Sequence, residues 1–283
     1  MVANPYGGPP SRVSLQDGVD GFVFWTRNAE PFFPALTLVK ERGLPFFLHY
    51  SLTGYPDRLE TATPAVSQAI KVIRQLVAKY GPRAVVWRYD PILLSSITSA
   101  DWHFRNFQSL AAQLAGLVDE VVVSFLDPYR KTTRNLASGP DGPVTWLDPE
   151  PQEKSRILQG LTDLARERQI ELTLCTEPAL AEITGLRAAR CIDADRLSQL
   201  AGRILPARQK GNRPGCLCAE SRDIGAYDSC PQGCLYCYAV RTRENAKAFL
   251  QAHDPDSPFL QAFHPVPPSL HSGKDSKKAA NPS

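Results

Sequence analysis

Cysteine is absent from the first 174 residues of this 283-residue sequence, and other common signals are missing as well. The net charge is only +3, and the chain lacks the basic stripe that marks most nucleic-acid-binding and membrane-surface proteins. No apolar run is long enough to span a bilayer, and residues 1–12 lack the apolar segment of a signal peptide. We therefore expect a cytoplasmic protein with no membrane partner.

Familiar catalytic motifs are missing too. The sequence contains no phosphate-binding glycine loop, no Rossmann fingerprint and no recognisable Ser–His–Asp arrangement. His49 and His103 have no partner that the sequence identifies, so we expect both to be ordinary core residues. The distinctive chemistry of this chain therefore rests with its cysteines.

Between residues 20 and 193, short apolar runs alternate with amphipathic segments of helical period. The runs are almost continuously apolar, which is typical of strands in a parallel sheet that is covered on both faces. The predicted strands cover residues 21–26, 46–51, 84–89, 120–125, 170–175 and 189–192. The predicted helices cover residues 30–42, 64–80, 101–117, 150–168, 178–186 and 193–203. Thr63 is the predicted N-cap of the second helix.

Repeated βα units imply right-handed crossovers and predict an α/β fold. Six units in series favour a partial or complete (β/α) barrel of parallel strands, which we assign to residues 1–205. Residues 206–252 form a cysteine-rich segment that we expect to pack on the barrel and to end in a helix near 239–252. The prolines, serines and lysines of residues 253–283 predict a disordered tail.

Ligands of such sheets bind at the carboxyl ends of the strands. Polar side chains follow several of the predicted strands, and they are candidates for binding a cofactor or substrate. This set consists of Arg88, Asp90, Ser124, Asp127, Arg130 and Glu177. Because side chains alternate along a strand, Arg88 and Asp90 face the same way, with Trp87 and Tyr89 opposite. Arg88 and Asp90 form either a pocket pair or a structural salt bridge.

Five of the seven cysteines fall within 22 residues, and three of them form the stretch Cys230-Pro-Gln-Gly-Cys234-Leu-Tyr-Cys237. Spacings of three and two residues let one compact loop present three thiolates, and Gly233 relieves crowding where the backbone turns. Iron–sulfur clusters normally take four thiolates, so three local thiolates leave one iron open. The triad of Cys230, Cys234 and Cys237 is therefore the predicted metal site.

The pattern Cys-x3-Cys-x2-Cys, with an aromatic residue before the last cysteine, resembles the signature of the radical S-adenosylmethionine superfamily. The Gly-Cys-x-Tyr-Cys-Tyr-Ala continuation looks most like the spore photoproduct lyase-like branch. The resemblance implies a 4Fe–4S cluster, S-adenosylmethionine, a 5′-deoxyadenosyl radical acting on an unknown substrate, and an electron donor such as flavodoxin or ferredoxin. The branch also makes nucleic acid one substrate class, although the weak net charge argues against strong duplex binding.

Over nearly its whole length the chain also resembles an uncharacterised bacterial family known only as a domain of unknown function. The matching stretches are residues 23–28, 86–91, 124–131, 191–193 and 216–239. The triad follows the sheet in this chain, whereas radical enzymes usually carry it near the N-terminus. The additional first strand of the family, with its Ser-x-Arg-x-Asp-Ile-Pro-like segment, is not recognisable here. We expect that difference to affect closure of the barrel, and with it activity.

The four remaining cysteines make a full ligand set for a second cluster, and they are Cys175, Cys191, Cys216 and Cys218. The alternative for the first two is that they are small buried hydrophobic residues. Two other interpretations of the whole chain stay open. One is a non-catalytic or electron-transfer iron–sulfur protein, and the other is a zinc-stabilised binding protein in which Cys216 and Cys218 join Cys234 and Cys237.

Overall fold

The computed structural model describes Val2, residues 11–211 and residues 213–259. Five strands in this part of the chain form one sheet, in which every neighbouring pair is parallel. They are β1 (Phe22–Thr26), β2 (Phe46–Ser51), β3 (Val85–Arg88), β4 (Glu120–Val123) and β5 (Glu171–Leu174). The spatial order is the order along the chain, and the sheet is open, with β1 and β5 at its edges. The predicted α/β class and parallel sheet are therefore confirmed.

Helices connect the strands, and most of them cover one face of the sheet. In the described residues they are α1 (Phe33–Glu41), α2 (Val66–Tyr80), α3 (Ala100–Leu114), α4 (Arg130–Ala137), α5 (Pro151–Arg166), α6 (Pro178–Thr184), α7 (Ala194–Ala201) and α8 (Arg243–Gln251). α1, α2, α3, α5 and α6 bury apolar side chains in a single cluster with alternate strand residues such as Leu48 and Trp87. Trp87 and Tyr89 lie in this cluster, opposite Arg88, as the alternation of the strand predicts.

The opposite face of the sheet is covered by the chain that follows β5. Leu197 of α7 and the later Leu205 pack against Phe47 and Val86, which point away from the large helix cluster. Arg196 is buried in the same layer and pairs with Asp119 at 2.9 Å and with Glu120 at 2.8 Å. These ion pairs fix α7 at the amino-terminal edge of the sheet, since both carboxylates stand at the start of β4.

The sixth predicted strand, residues 189–192, is wrong as a strand. Leu174 pairs in parallel with Ala188 alone, and the chain then leaves the sheet. The reason lies in the backbone of Ile192, whose amide donates to the Cys218 sulfur at 3.3 Å and whose carbonyl accepts from Ala219 at 2.9 Å. The cysteine-rich segment therefore takes the hydrogen bonds that a strand ladder would have used.

Helix ends also differ from the predicted bounds. α2 begins at Val66, and the predicted cap Thr63 instead donates its hydroxyl to Glu60 at 3.3 Å. α4 was not predicted as a helix, because its residues are mostly polar and carry no long apolar stripe. α8 begins at Arg243, where the Thr242 hydroxyl accepts the amide of Asn245 at 3.1 Å and caps the helix.

Parts of the predicted organisation lie outside what the structure describes. Residues 260–283 of the predicted disordered tail are outside the described residues, and so are positions 1 and 3–10 near the predicted N-terminal difference. The division at residue 205 stays a prediction. In the described part of the chain, no helix combines the length and the apolar character needed to cross a membrane.

His103 of α3 is a core residue, as predicted, and it joins the helix to the end of β3. Its Nε2 donates to the carbonyl of Leu93 at 3.0 Å, and its Nδ1 accepts from the Tyr89 hydroxyl at 2.8 Å. Burial lowers the pKa of His103 to about 4, which keeps the imidazole neutral in the folded protein.

The buried His103 makes the stability of the fold sensitive to acid. Its pKa is lower in the folded chain than in the unfolded chain, so the unfolded state binds the proton first as pH falls below about 6.5. We expect the wild type to lose about 2 kcal/mol more unfolding free energy than His103→Gln between pH 7 and pH 5. Urea denaturation at both pH values measures the difference. Exposed His253→Gln is the control, and equal losses in wild type and His103→Gln would contradict this origin of the acid sensitivity.

Candidate metal centre

The triad lies on a loop that docks against the chain after β2. Leu235 donates its amide to the carbonyl of Leu59 at 2.9 Å, and Ala62 donates to the carbonyl of Gln232 at 3.0 Å. Glu60 and Cys234 form an antiparallel bridge between these two bonds. Because the segment after β2 leaves the carboxyl edge of the sheet, the loop is held at that edge.

Gly233 sits where the triad loop comes closest to its neighbours. Its φ of +73° lies in the left-handed region that favours glycine. A Cβ at this position would stand 2.3 Å from Oγ1 of Thr61 and 3.0 Å from the Arg243 side chain. The sequence assigned Gly233 to a tight turn, and the structure shows that it also permits close docking.

A buried polar network anchors the loop from below. Nη1 of Arg27, which follows β1, pairs with Oε1 of Glu60 at 2.8 Å, and Nη2 of Arg27 donates to the Tyr236 hydroxyl at 2.6 Å. The Tyr236 hydroxyl also donates to Glu60, and Thr53 donates to the same carboxylate oxygen at 2.6 Å. The aromatic residue of the motif therefore ties the triad to β1 and β2.

The positive charge of Arg27 and the negative charges beside it stabilise one another in this buried network. Burial alone lowers the pKa of Arg27, but the charges that Tyr236, Glu60 and Cys234 can carry raise it above its ordinary value. Burial raises the pKa of Cys234 to about 12, and the guanidinium of Arg27 acts in the opposite direction. Arg27 therefore faces the triad as a fixed positive charge. Cys230 is exposed, and Cys234 and Cys237 are partly buried.

The far side of the loop is held by α4 and by an apolar cluster. Lys131 donates to the carbonyls of Tyr238 and Val240, and the Tyr129 and Tyr238 rings lie 5.4 Å apart. Beneath the loop, Tyr236 joins a cluster of buried residues from the loops at this edge, namely Tyr55, Leu59, Leu93, Leu136 and Val144. The loop is thus fixed on both sides.

The other four cysteines form a second group, the Cys191 group, at the ends of β3, β4 and β5. The sulfurs of Cys175 and Cys191 lie 3.6 Å apart. The Cys218 thiol influences the pKa of Cys191, and the Cys216 thiol influences the pKa of Cys218. The Ile192 amide, next to Cys191, donates to the Cys218 sulfur at 3.3 Å. The zinc set of Cys216, Cys218, Cys234 and Cys237 would have to draw Cys218 away from this place.

Basic groups surround the Cys191 group. Nη1 of Arg88 lies 3.2 Å from the Cys191 sulfur, and the charge that Cys175 can carry helps to raise the pKa of Arg213. His49 donates from Nε2 to the Cys191 carbonyl at 2.8 Å, and burial holds its pKa well below the usual range. His49 was predicted to be an ordinary core residue, and the structure shows that it also positions Cys191.

Four of the six predicted polar candidates lie together beside this group. Nη2 of Arg88 pairs with Oδ2 of Asp90 at 2.7 Å, and the Ser124 hydroxyl donates to the other oxygen of Asp90. The Glu177 carboxylate accepts the Phe125 amide at 2.6 Å, and burial raises its pKa. Arg88 and Asp90 are thus an ion pair at the strand end.

Asp127 and Arg130 lie on the exposed approach to α4, and the charge of Asp127 also helps to raise the pKa of Glu177. Asp127 lies 3.5 Å from Arg213, and Arg130 is exposed at the start of the helix. Arg213 therefore lies close to both the Cys191 group and the loop that leads to α4, which supports the triad from the other side.

Enclosed space at this edge is small. A pocket of about 100 Å³ lies beside Arg27 and Glu60, well below the roughly 300–1,000 Å³ of most ligand pockets. Among the described residues, no three His, Cys, Asp or Glu side chains are arranged to hold one metal ion as they stand. The arrangement is a shallow edge carrying two sets of thiols.

A family model described as a domain of unknown function, DUF1848, matches residues 1–239. The chain belongs to the DUF1848 family. The predicted membership of an uncharacterised domain family is therefore confirmed. The DUF1848 match includes all seven cysteines and ends two residues after Cys237. No curated protein matches the chain.

The residues of this DUF1848 domain that sequence reasoning missed are mainly those that hold the triad in place. Glu60 lies in a stretch without a recognisable motif, and only its burial beside Arg27 shows its role. Arg27 follows the first predicted strand, a position that already predicts a place at the ligand-binding edge. Tyr236 was noted as part of the motif, but its hydroxyl contacts depend on residues far away in the sequence.

Replacing Arg27 by alanine leaves the buried Glu60 carboxylate of this DUF1848 domain without its cation. We expect the free energy of unfolding to fall by about 3–5 kcal/mol, the usual cost of breaking a buried ion pair. Urea denaturation followed by circular dichroism measures it. Arg208→Ala is the matched control, because Arg208 pairs with Glu220 at the surface and its loss should leave stability nearly unchanged. Similar losses in the two variants would show that the network does not anchor the fold.

Proposed function

We propose that this protein binds a 4Fe–4S cluster on Cys230, Cys234 and Cys237 and acts as a radical S-adenosylmethionine-like enzyme. The observation that carries the proposal is the docking of the triad loop on the carboxyl edge of a parallel sheet, through Arg27, Glu60 and Tyr236. Ligands of α/β proteins bind at that edge. We interpret the open sheet as a partial barrel whose mouth carries the site.

The donor set suits a cluster better than a single ion. A tetrahedral ion with metal–sulfur bonds of 2.3 Å needs its thiolates about 3.8 Å apart. The triad offers three local thiolates, whereas a structural ion takes four protein ligands, and the three thiols lie near enough for their charges to interact. A cluster binds each thiolate to a different iron, so the thiols can stand apart.

The chemistry that such a cluster and S-adenosylmethionine supply when bound is a 5′-deoxyadenosyl radical that removes a hydrogen atom from a substrate. The chain itself supplies position and charge. Arg27 favours the thiolate of Cys234 by its fixed positive charge, and Tyr236 holds the loop between Cys234 and Cys237 against β1 and β2. These contacts keep the three thiols in place before any ligand arrives.

The proposed enzyme leaves one side of the loop open to solvent. Cys230 is exposed, and the Tyr238 ring, which lies against Tyr129, is also exposed. Asp127, Tyr129 and Arg130 line the approach from α4. A substrate that carries negative charge and a planar ring would find both a guanidinium and aromatic faces there.

Removing Cys230 tests cluster binding with little risk to the fold, because its side chain is exposed. We expect anaerobically reconstituted wild type to hold about four iron atoms on the triad and Cys230→Ala to hold fewer than one there. Iron and sulfide analysis gives the counts. Ser221→Ala is the matched control, because Ser221 is exposed in the cysteine-rich segment and belongs to neither group of cysteines. Equal iron in wild type and Cys230→Ala would refute the proposal.

Turnover separates an enzyme from an electron carrier. We expect reduced, reconstituted wild type to convert S-adenosylmethionine into 5′-deoxyadenosine and methionine, which mass spectrometry detects. Cys230→Ala should form neither product above the rate without protein. A full iron count without 5′-deoxyadenosine would favour the electron-transfer interpretation instead. A colourless protein that carries only zinc would contradict both.

A further inference from the structure

We propose that Cys175, Cys191, Cys216 and Cys218 bind one tetrahedral divalent metal ion of the zinc class, at a structural site separate from the triad. The starting observation is the 3.6 Å distance between the sulfurs of Cys175 and Cys191. A tetrahedron with metal–sulfur bonds of 2.3 Å has edges of about 3.8 Å. Thiols in direct contact therefore match one edge of a single-ion site, whereas a 4Fe–4S cluster would separate them onto different irons.

A short hairpin brings the other two thiols to the same place. Gln209 and Ala219 form an antiparallel bridge, and Lys210 donates its amide to the Cys218 carbonyl at 2.9 Å. A Cβ at Gly211 would stand 2.3 Å from the Cys216 carbonyl oxygen, so only glycine allows the hairpin to close here. The pair Cys216-Leu-Cys218 thus lies on a compact turn, with one residue between the cysteines where most zinc ligand pairs have two to four.

Hydrogen-bond donors already point at the sulfurs. Arg88 reaches the Cys191 sulfur at 3.2 Å, and the Ile192 amide reaches the Cys218 sulfur at 3.3 Å. Donors of this kind stabilise metal-bound thiolates. Four thiolates and one divalent ion carry a net charge of −2, and the guanidinium of Arg88, which also pairs with Asp90, lies beside it.

The sulfurs of Cys175 and Cys191 are in contact and Cys218 is held beside them by the Ile192 amide, but in the described residues the four thiols do not surround a common point. Binding one ion therefore requires the cysteine side chains to turn toward a common point. Because all four positions are then filled by protein, the site has no open coordination position and is structural. Its role is to join the hairpin and the segment after β5 to the sheet.

Cobalt tests the site, since Co²⁺ in a tetrahedral thiolate site has visible bands whose intensity reports the number of sulfur ligands. The full-length variant Cys230→Ser/Cys234→Ser/Cys237→Ser removes the triad. We expect this variant to take up one Co²⁺ per chain with a four-thiolate spectrum, and Zn²⁺ to displace it. Adding Cys191→Ser should abolish that spectrum. Absence of a tetrahedral thiolate spectrum in the triad-less variant would overturn the proposal, and so would uptake of about four iron with sulfide on reconstitution.

A second measurement on the natural chain covers the case in which the triad-less variant does not fold. We expect purified wild type and Cys230→Ala each to hold one zinc per chain and to lose at least about 5 °C of Tm when a chelator removes it. Cys191→Ser should hold no zinc and show no chelator effect. Zinc-free wild type, or a Tm unchanged by the chelator, would refute the site. Neither result bears on iron bound by the triad, so the two proposals fail separately.

Discussion

Sequential pairing of five parallel strands is the constraint on which the arrangement of this molecule depends. Each connection between neighbouring parallel strands must cross over with the same hand, so the helices gather on one face. The other face is left apolar at Phe47, Val86 and Val122, and it must be covered by chain from outside the βα units. The segment after β5 provides that cover, and on its way it delivers Cys191 and then Cys218 to the carboxyl edge.

The same constraint explains why the polar residues of distant segments meet. All five strands end at one edge, so Arg27 after β1, Arg88 at the end of β3 and Cys175 after β5 share that edge. Each set of thiols has a guanidinium beside it, Arg27 at the triad and Arg88 at the Cys191 group. Fixed cations that favour thiolates are therefore built into the sheet, and the cysteine-rich chain closes over them.

The sequence predicted what depends on local pattern. Continuous apolar runs located all five strands to within a few residues, and spacing alone singled out Cys230, Cys234 and Cys237. Prediction from the sequence failed where long-range contacts determine the structure. Residues 189–192 are an example, because their backbone forms hydrogen bonds with the cysteine-rich segment. Glu60 could not be predicted for the same reason, because its partners Arg27 and Tyr236 lie 33 and 176 residues away. The two groups of cysteines could be listed from the sequence, but only the fold shows that the sulfurs of Cys175 and Cys191 are in contact.

The residues at the carboxyl edge of the sheet are synthesised at very different times, because they are far apart along the chain. Arg27 and Glu60 leave the ribosome long before Tyr236, and domains fold from the N-terminus as they are made. The residues of the charged edge are therefore present in the growing chain before the triad is made. Any ligand of the triad loop can bind only once the last third of the chain has been synthesised.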